Sequence, residues 1–367
     1  MSTKVAVLGA GNGAFAMAGD LALKGFAVAM WSSRIERLEA IRASKTIQVV
    51  GPTVQGQARL SLVTGEIAAA LDGADVICMP VPAFSQREAA ELLAPHVRDG
   101  QVIFLAPGTF GTYLMAKRMW DLGCRAEFAI CETGTLPYLT RKTRPDESSI
   151  VVRACHLPTG VFPGRLTDMA IGKLRQVVPS VHAVEDALSG ALMNAGPIIH
   201  PPLVVMNTGP IENQPAYDIH NEGTSPGIRL VQRRLDAERI VLREALGYAP
   251  NHYPLEDYYD EGAEREWMYP RASKKLLMAS RLWNEKVDYA HRYVTEDIQL
   301  GLAFLVSVAR CAGIELPTAS ALLTIAGAVV GTDYLQTGRT LGSLGLAELT
   351  PEELQRLLQD GFTGATT

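Results

Sequence analysis

Apolar residues come in short unbroken runs through the first half of the chain and at helical spacing through the second. Val5–Leu8 reads as a buried strand. Ala14, Met17, Ala18, Leu21 and Ala22 then share one helix face, Gly25 is placed to end that helix, and Val28–Trp31 forms the next strand. Further strands are predicted at Val49-Val50, Leu60–Val63, Val76–Met79, Val102–Leu105 and Phe128–Cys131. Helices fall between them at Glu66–Leu71, after Ser85 and at Thr112–Asp121. Ser85 followed by Glu88 fits a capping box. Such alternation predicts an α/β domain with a doubly wound parallel sheet, whose ligands sit at the carboxyl ends of the strands. Gly9–Gly13, Pro80–Ala83, Pro107–Thr109 and Glu132–Thr135 should form the rim of one site.

Strand signals then give way to helical periods at Ala187–Ile199, Arg229–Leu246, Thr295–Ala312 and Ala319–Val330. The pattern therefore divides the chain into an α/β domain at 1–184 and an all-α C-terminal domain at 185–367. The active site is expected in the cleft between them.

The turn after the first strand carries the first chemical signal. Gly9-Ala10-Gly11-Asn12-Gly13-Ala14 links a strand to a helix in the spacing of a dinucleotide-binding, Rossmann-type fingerprint. Gly9 permits a tight turn, Gly11 lets a pyrophosphate approach the backbone, and Ala14 lets the helix lie close to the sheet. The helix N-terminus offers unpaired N–H groups and a partial positive charge to phosphate. Pro80, Val81 and Pro82 end a neighbouring strand and are expected to border the cofactor.

The second strand runs into Ser32-Ser33-Arg34, with Arg37 a helical turn later. An acid at this place would bind both ribose hydroxyls and repel a 2′-phosphate. Serines followed by arginine favour NADP(H) over NAD(H).

Composition narrows the class. The chain has 367 residues, 47% hydrophobic and 20% charged, enough for two cores, and its net charge of −5 disfavours nucleic acid as a partner. Five cysteines make no CxxC pair and no zinc-like cluster, so no metal is expected. Neither a secretory leader nor a convincing membrane span is visible, which predicts a cytoplasmic protein, and the apolar helical half suggests a homodimer.

Among the seven histidines, His200 stands out because it ends an uncharged stretch, Asn194–Ile199, before Pro201-Pro202. A histidine in such surroundings can exchange protons near neutral pH. Arg292-Tyr293-Val294-Thr295-Glu296-Asp297 is the second stretch of interest. With Thr295 as N-cap, Asp297 would lie in a first helical turn, where it could orient a histidine, and Arg292 could clamp a substrate carboxylate. Asn207, Glu222 and Thr133 are further candidates for substrate contact. The Arg141–Arg144 basic run reads as a solvated loop that could draw anions. No lysine occurs between Lys173 and Lys274, although several hydroxy-acid and ketopantoate dehydrogenases place a catalytic lysine early in their second domain.

These residues bear a family resemblance. Gly9–Gly13, Leu21–Gly25, Gly51-Pro52, Glu132-Thr133, Asn194-Ala195 before His200-Pro201, Asp236–Ile240, Arg292-Tyr293 with Glu296-Asp297, and Gly338–Leu341 resemble the opine dehydrogenases of the octopine and nopaline type, and within them the bacterial norvaline-type enzymes. The likeness spans nearly the whole chain. It implies that His200 is the acid/base residue, Asp297 its partner, and Arg292 the holder of a substrate carboxylate. The implied reaction is NAD(P)H-dependent reductive condensation of an amino acid or amine with a 2-oxo acid through an imine. At Ser32 the sequence departs from the norvaline-type pattern, which has aspartate there. The alternatives are an NADP-dependent reductase of 2-oxo or 3-oxo acids, which would need no amine, and a cofactor sensor without turnover.

Overall fold

The computed structural model describes residues 3–260, 262, 265–283 and 286–362. The chain divides into two compact units. The first holds residues 1–191, 268–270 and 358 onward; the second holds 192–267 and 271–357.

Twelve strands build the first unit: β1 (Lys4–Leu8), β2 (Ala27–Trp31), β3 (Thr46–Val50), β4 (Gly56–Arg59), β5 (Leu62–Thr64), β6 (Val76–Met79), β7 (Val102–Leu105), β8 (Ala129–Thr133), β9 (Tyr138–Arg144), β10 (Glu147–Arg153), β11 (Leu157–Phe162) and β12 (Val181–Ala183). Eight of them form one sheet in the order β12-β11-β8-β7-β6-β1-β2-β5. Every pair in it is parallel except β8 and β11. Chain order reverses at β1, which puts the end of that strand at the sheet's switch point. β6 and β7 are buried along their whole length, as strands covered on both faces must be.

The remaining four strands make a small sheet, β4-β3-β10-β9, that the apolar pattern does not announce. Arg141–Arg144, expected in a loop, lies on β9, where Tyr138 and Thr140 are buried, Arg141 and Lys142 half-buried, and Arg144 exposed. The Asn12–Leu23 helix touches both the large and the small sheet. That explains why it is buried from Gly13 through Leu21 and shows no polar face. Contact with the small sheet requires Gly19, because a Cβ there would come within 2.6 Å of Val49 Cγ2. Inside this packing, buried Asp20 accepts a hydrogen bond from Tyr138 Oη at 2.8 Å and pairs with Lys24 and Arg153.

Three local expectations change. Ser85 precedes the Gln86–Leu93 helix without a side-chain cap, because a short 3-10 turn at Ala83–Ser85 runs straight into that helix. The helix expected at Ala187–Ile199 breaks into Ala187–Ala191 and Gly196–Met206. Asn194 Oδ1 accepts from Gly196 N at 3.0 Å, and Pro197 starts the new helix. The division between units falls after Ala191 rather than near 184. Helix Ala187–Ala191 packs on β8 and β11, and a Cβ on Gly190 would lie 2.6 Å from Gly160 Cα.

Among the described residues the second unit contains no strand. Its longer helices are Gly196–Met206, Pro226–Ala245, a π-helical segment Tyr293–Leu302 that continues as Ala303–Cys311, and Pro317–Val330. No helix of the described residues is long and apolar enough to cross a membrane.

Candidate active site

The glycine turn has the geometry that its sequence predicts. Gly9 has φ of +124° and donates its N–H to Trp31 O at 2.8 Å, which ties the loop to the end of β2. Gly11 is the N-cap of the Asn12–Leu23 helix, and a Cβ built on it meets nothing within 4 Å. The loop therefore leaves open space beside the first helical turn, with no acid in that turn to oppose an anion. Pro80 and Val81 close the other side: a Cβ on Gly13 would be 3.0 Å from Pro80 Cβ, and one on Gly9 3.8 Å from Val81 Cγ1. Ala14 is fully buried beneath the loop. Asn12 is engaged by its Oδ1, which accepts from Lys142 N at 2.9 Å. An open helix N-terminus and a side-chain-free loop fit a dinucleotide pyrophosphate.

Ser32 is buried, with its Oγ accepting from Arg34 N at 3.2 Å, whereas Ser33 and Arg34 are exposed. Burial, and then the nearby Arg37 guanidinium, hold the Lys142 ammonium below its usual pKa. Arg37, just beyond the Ser32–Arg34 segment, thus has Lys142 of the small sheet as a neighbour.

At the end of β8, Thr133 Oγ1 donates to Thr135 O at 2.8 Å. Its neighbour Glu132 is fully buried and accepts from Phe110 N and Thr112 N at 2.8 and 2.9 Å, capping the Gly111–Asp121 helix from another strand.

In the helical unit, His200 and Asp297 meet although 97 residues separate them, with Nδ1 and Oδ2 2.7 Å apart. Their side chains are 15% and 4% exposed, so the pair is largely shielded while the imidazole stays reachable. An ionised carboxylate can only accept, so Nδ1 donates to Asp297, and in the neutral form of the ring Nε2 keeps its lone pair. Two glycines permit the contact. A Cβ on Gly196 would collide with the Asp297 carboxylate, and one on Gly301 with the Pro197 ring. These small residues let the Gly196–Met206 helix and the Tyr293–Leu302 segment approach closely.

Tyr293 completes the setting. Its ring stacks on the His200 imidazole at 3.7 Å and 11°, and its hydroxyl is 2.7 Å from His220 Nε2. The sequence singles out neither residue: Tyr293 follows Arg292 directly, whereas nothing local marks His220. Arg292 is about half exposed, with its Nε 3.5 Å from Glu296 Oε2. Thr295 is not an N-cap. It lies inside the π-helical segment with its hydroxyl on His291 O, which leaves Asp297 beyond the first turn. A wide π turn of this kind frequently marks a functional position.

One candidate is withdrawn. Asn207 is buried, donates to Leu203 O and Gly223 O at 2.7 and 3.1 Å, and accepts from Tyr217 Oη at 2.7 Å. Both amide protons are committed to holding the following loop, so Asn207 is a structural residue. Glu222 is exposed.

A nucleotide-binding strand–loop–helix and a separate helical unit carrying a His–Asp pair define a two-domain nicotinamide-dependent dehydrogenase. Residues 183–330 match the family model of the NAD/NADP octopine/nopaline dehydrogenase alpha-helical domain, and residues 4–114 that of the NAD-dependent glycerol-3-phosphate dehydrogenase N-terminus. An opine dehydrogenase of Arthrobacter sp. (strain 1C) is 30% identical over 95% of this chain and 97% of its own. A vitopine synthase of Allorhizobium ampelinum is 28% identical over 95% and 97%. An octopine dehydrogenase solved with NADH and L-arginine superposes with a TM-score of 0.70 at 19% identity, covering 99% of both chains. A yersinopine dehydrogenase solved with NADP+ gives 0.65 at 14%, covering 98% of both. The chain belongs to the opine dehydrogenase family. It is an NAD(P)-dependent oxidoreductase acting on CH–NH bonds.

Proposed function

We propose that His200 is the acid/base residue of a reductive condensation between an amino acid or amine and a 2-oxo acid, with Asp297 and Tyr293 as its positioning residues. The geometry of the His200–Asp297 pair carries this reading. An amino acid reaches the enzyme as an ammonium, which has no lone pair for attack. Nε2 of His200 takes one proton from it, and the free amine then adds to the ketone carbon. Returned to the carbinol oxygen, that proton lets water leave and the C=N bond form. When bound, the nicotinamide supplies the hydride that reduces this bond. Arg292 pairs with a substrate carboxylate, while Thr133, buried with its hydroxyl on Thr135 O, shapes the end of β8.

The Gly9–Ala14 loop and Pro80–Pro82 are the proposed cofactor contacts. NADP(H) is the proposed preference: Ser32 offers no negative charge, Arg34 and Arg37 follow it in the chain, and Lys142 lies near Arg37. A homodimer and a cytoplasmic location complete the proposal, the first read by light scattering and the second by fractionation. We assign residues 1–191 to cofactor binding and 192–357 to the amine chemistry.

The test is an NADPH- and NADH-oxidation screen of amino acids, norvaline among them, and simple amines against pyruvate, glyoxylate and 2-oxoglutarate. Oxidation should require both partners. Equal oxidation with the oxo acid alone would favour a simple oxo-acid reductase instead.

A further inference from the structure

The helical unit holds a second group of charged residues, one hydrogen-bonded step from His200. Gln232 is fully buried on the Pro226–Ala245 helix and donates through Nε2 to Ile199 O at 2.8 Å, the carbonyl just before His200. Its Oε1 accepts from Tyr259 Oη at 3.3 Å. Two cations converge on the Tyr259 ring: Lys274 Nζ lies 4.3 Å and Arg229 Cζ 5.3 Å from its centroid. Arg229 is one helical turn before Gln232, so it shares a helix face with the residue that reaches the carbonyl preceding His200, while Lys274 comes from the separate Ser273–Ser280 helix.

Among the described residues two cations thus share one ring, and the nearby acid, Glu256, is paired with Arg233 at 2.8 Å. Arg229 stands close behind the first turn of its helix, where the helix dipole is already positive, and no acid occupies that turn. Neither Arg229 nor Lys274 has an ion-pair partner among the described residues. Burial, and then Arg229, pull the Lys274 ammonium down to about 8. The aromatic face offsets only part of such repulsion. An anion between the two cations would relieve it and could accept from both, in the way Arg and Lys together hold carboxylates.

We propose that Arg229 and Lys274, gathered over Tyr259, form a carboxylate-binding subsite that takes the distal acid group of a substrate. The proposal rests on the reading of His200 given above and sharpens it to a substrate class: an acidic amino acid, or a dicarboxylic 2-oxo acid. One carboxylate is then held near the reacting carbon by Arg292 and the distal one by Arg229 and Lys274. Gln232 and Tyr259 position the subsite relative to His200.

Two matched pairs distinguish the sources of the acid group. Glutamate is compared with glutamine at fixed pyruvate, and 2-oxoglutarate with 2-oxoglutaramate at a fixed neutral amino acid. In the wild type, kcat/KM for the acid should exceed that for its amide by about tenfold or more in one pair, which also identifies the source. Lys274→Gln and Arg229→Gln should each reduce that ratio about tenfold, and Lys274→Arg should restore it. A purely structural defect lowers acid and amide together and leaves the ratio where it was, which would overturn the proposal; so would equal values in the wild type. Calorimetric titration of the same four compounds into the cofactor-loaded protein gives a second readout independent of turnover. Absence of oxidation with every pair would contradict the condensation reading, while an acid-over-amide binding preference lost in Lys274→Gln would still uphold the subsite. Equal binding of acid and amide would reject it.

Discussion

The glycine turn at the start of the chain and the His200–Asp297 pair near its middle are built by opposite means. The turn is local: Gly9, Gly11, Gly13 and Ala14 fix its shape within six positions, and its partners Trp31, Pro80 and Val81 merely close around it. The pair is non-local. It exists because two helices far apart in sequence touch at Gly196 and Gly301, and because Tyr293 and His220 hold the imidazole plane. A function that must bind one conserved cofactor can reside in a contiguous motif. Chemistry that must fit variable substrates is assembled from packing, where exchanging a wall residue changes the substrate and spares the cofactor.

That contrast breaks most sharply at the acid. Asp297→Asn keeps the size of the side chain but removes the acceptor charge that fixes the His200 tautomer; kcat should fall on the order of 10³-fold, with little change in cofactor affinity. Gly196→Ala tests the packing argument, since its methyl displaces the Asp297 carboxylate. A loss of roughly 100-fold in kcat is expected from misplacing a catalytic group by about 1 Å. If Gly196→Ala reads like wild type in steady-state kinetics, the small-residue contact is not what aligns the pair.

On the other side of the comparison, Ser32→Asp should shift cofactor preference from NADPH toward NADH by about tenfold in the ratio of kcat/KM values, without altering the requirement for an amine. A smaller effect concerns the stability of the first unit. Burial raises the Asp20 carboxyl, but bonds and charges from Lys24 and Arg153 outweigh it and leave its pKa below 3.8. A depressed folded-state value stabilises the fold above the unfolded pKa and loses that contribution as pH falls through the folded one. Melting temperature should therefore drop below about pH 4, and the drop should be shallower in Asp20→Asn.

How much of this was legible in the sequence follows the same division. β1, β2, β6, β7 and the start of β8 show as apolar runs and the glycine turn as a spacing; β6 and β7, buried on both faces, are apolar throughout. β9 and β10 did not show, since a sheet covered on one face tolerates polar residues such as the Arg141–Ser149 pair on the other, and Lys142 lays its chain against Phe15 on the covered one. His200, Asp297 and Arg292 were singled out by an uncharged stretch, a helix-start pattern and a family likeness. Their geometry was not legible: Thr295 looked like a cap because the π turn leaves no local signature, and Asn207 stayed a candidate contact because the sequence gives no sign of which carbonyls its amide will meet. Tyr293 and His220 act through stacking and a long-range hydrogen bond, for which a single sequence carries no period or spacing.

The central claim is that cofactor binding and amine chemistry are separately built, with His200 serving only the second. Its most direct test compares wild type and His200→Ala with one active pair of amine and 2-oxo acid, measuring nicotinamide fluorescence on cofactor titration and single-turnover oxidation in the same samples. We expect the cofactor dissociation constant to stay within about twofold while the oxidation rate falls by about 100-fold or more. Oxidation at the wild-type rate in His200→Ala would contradict the assignment.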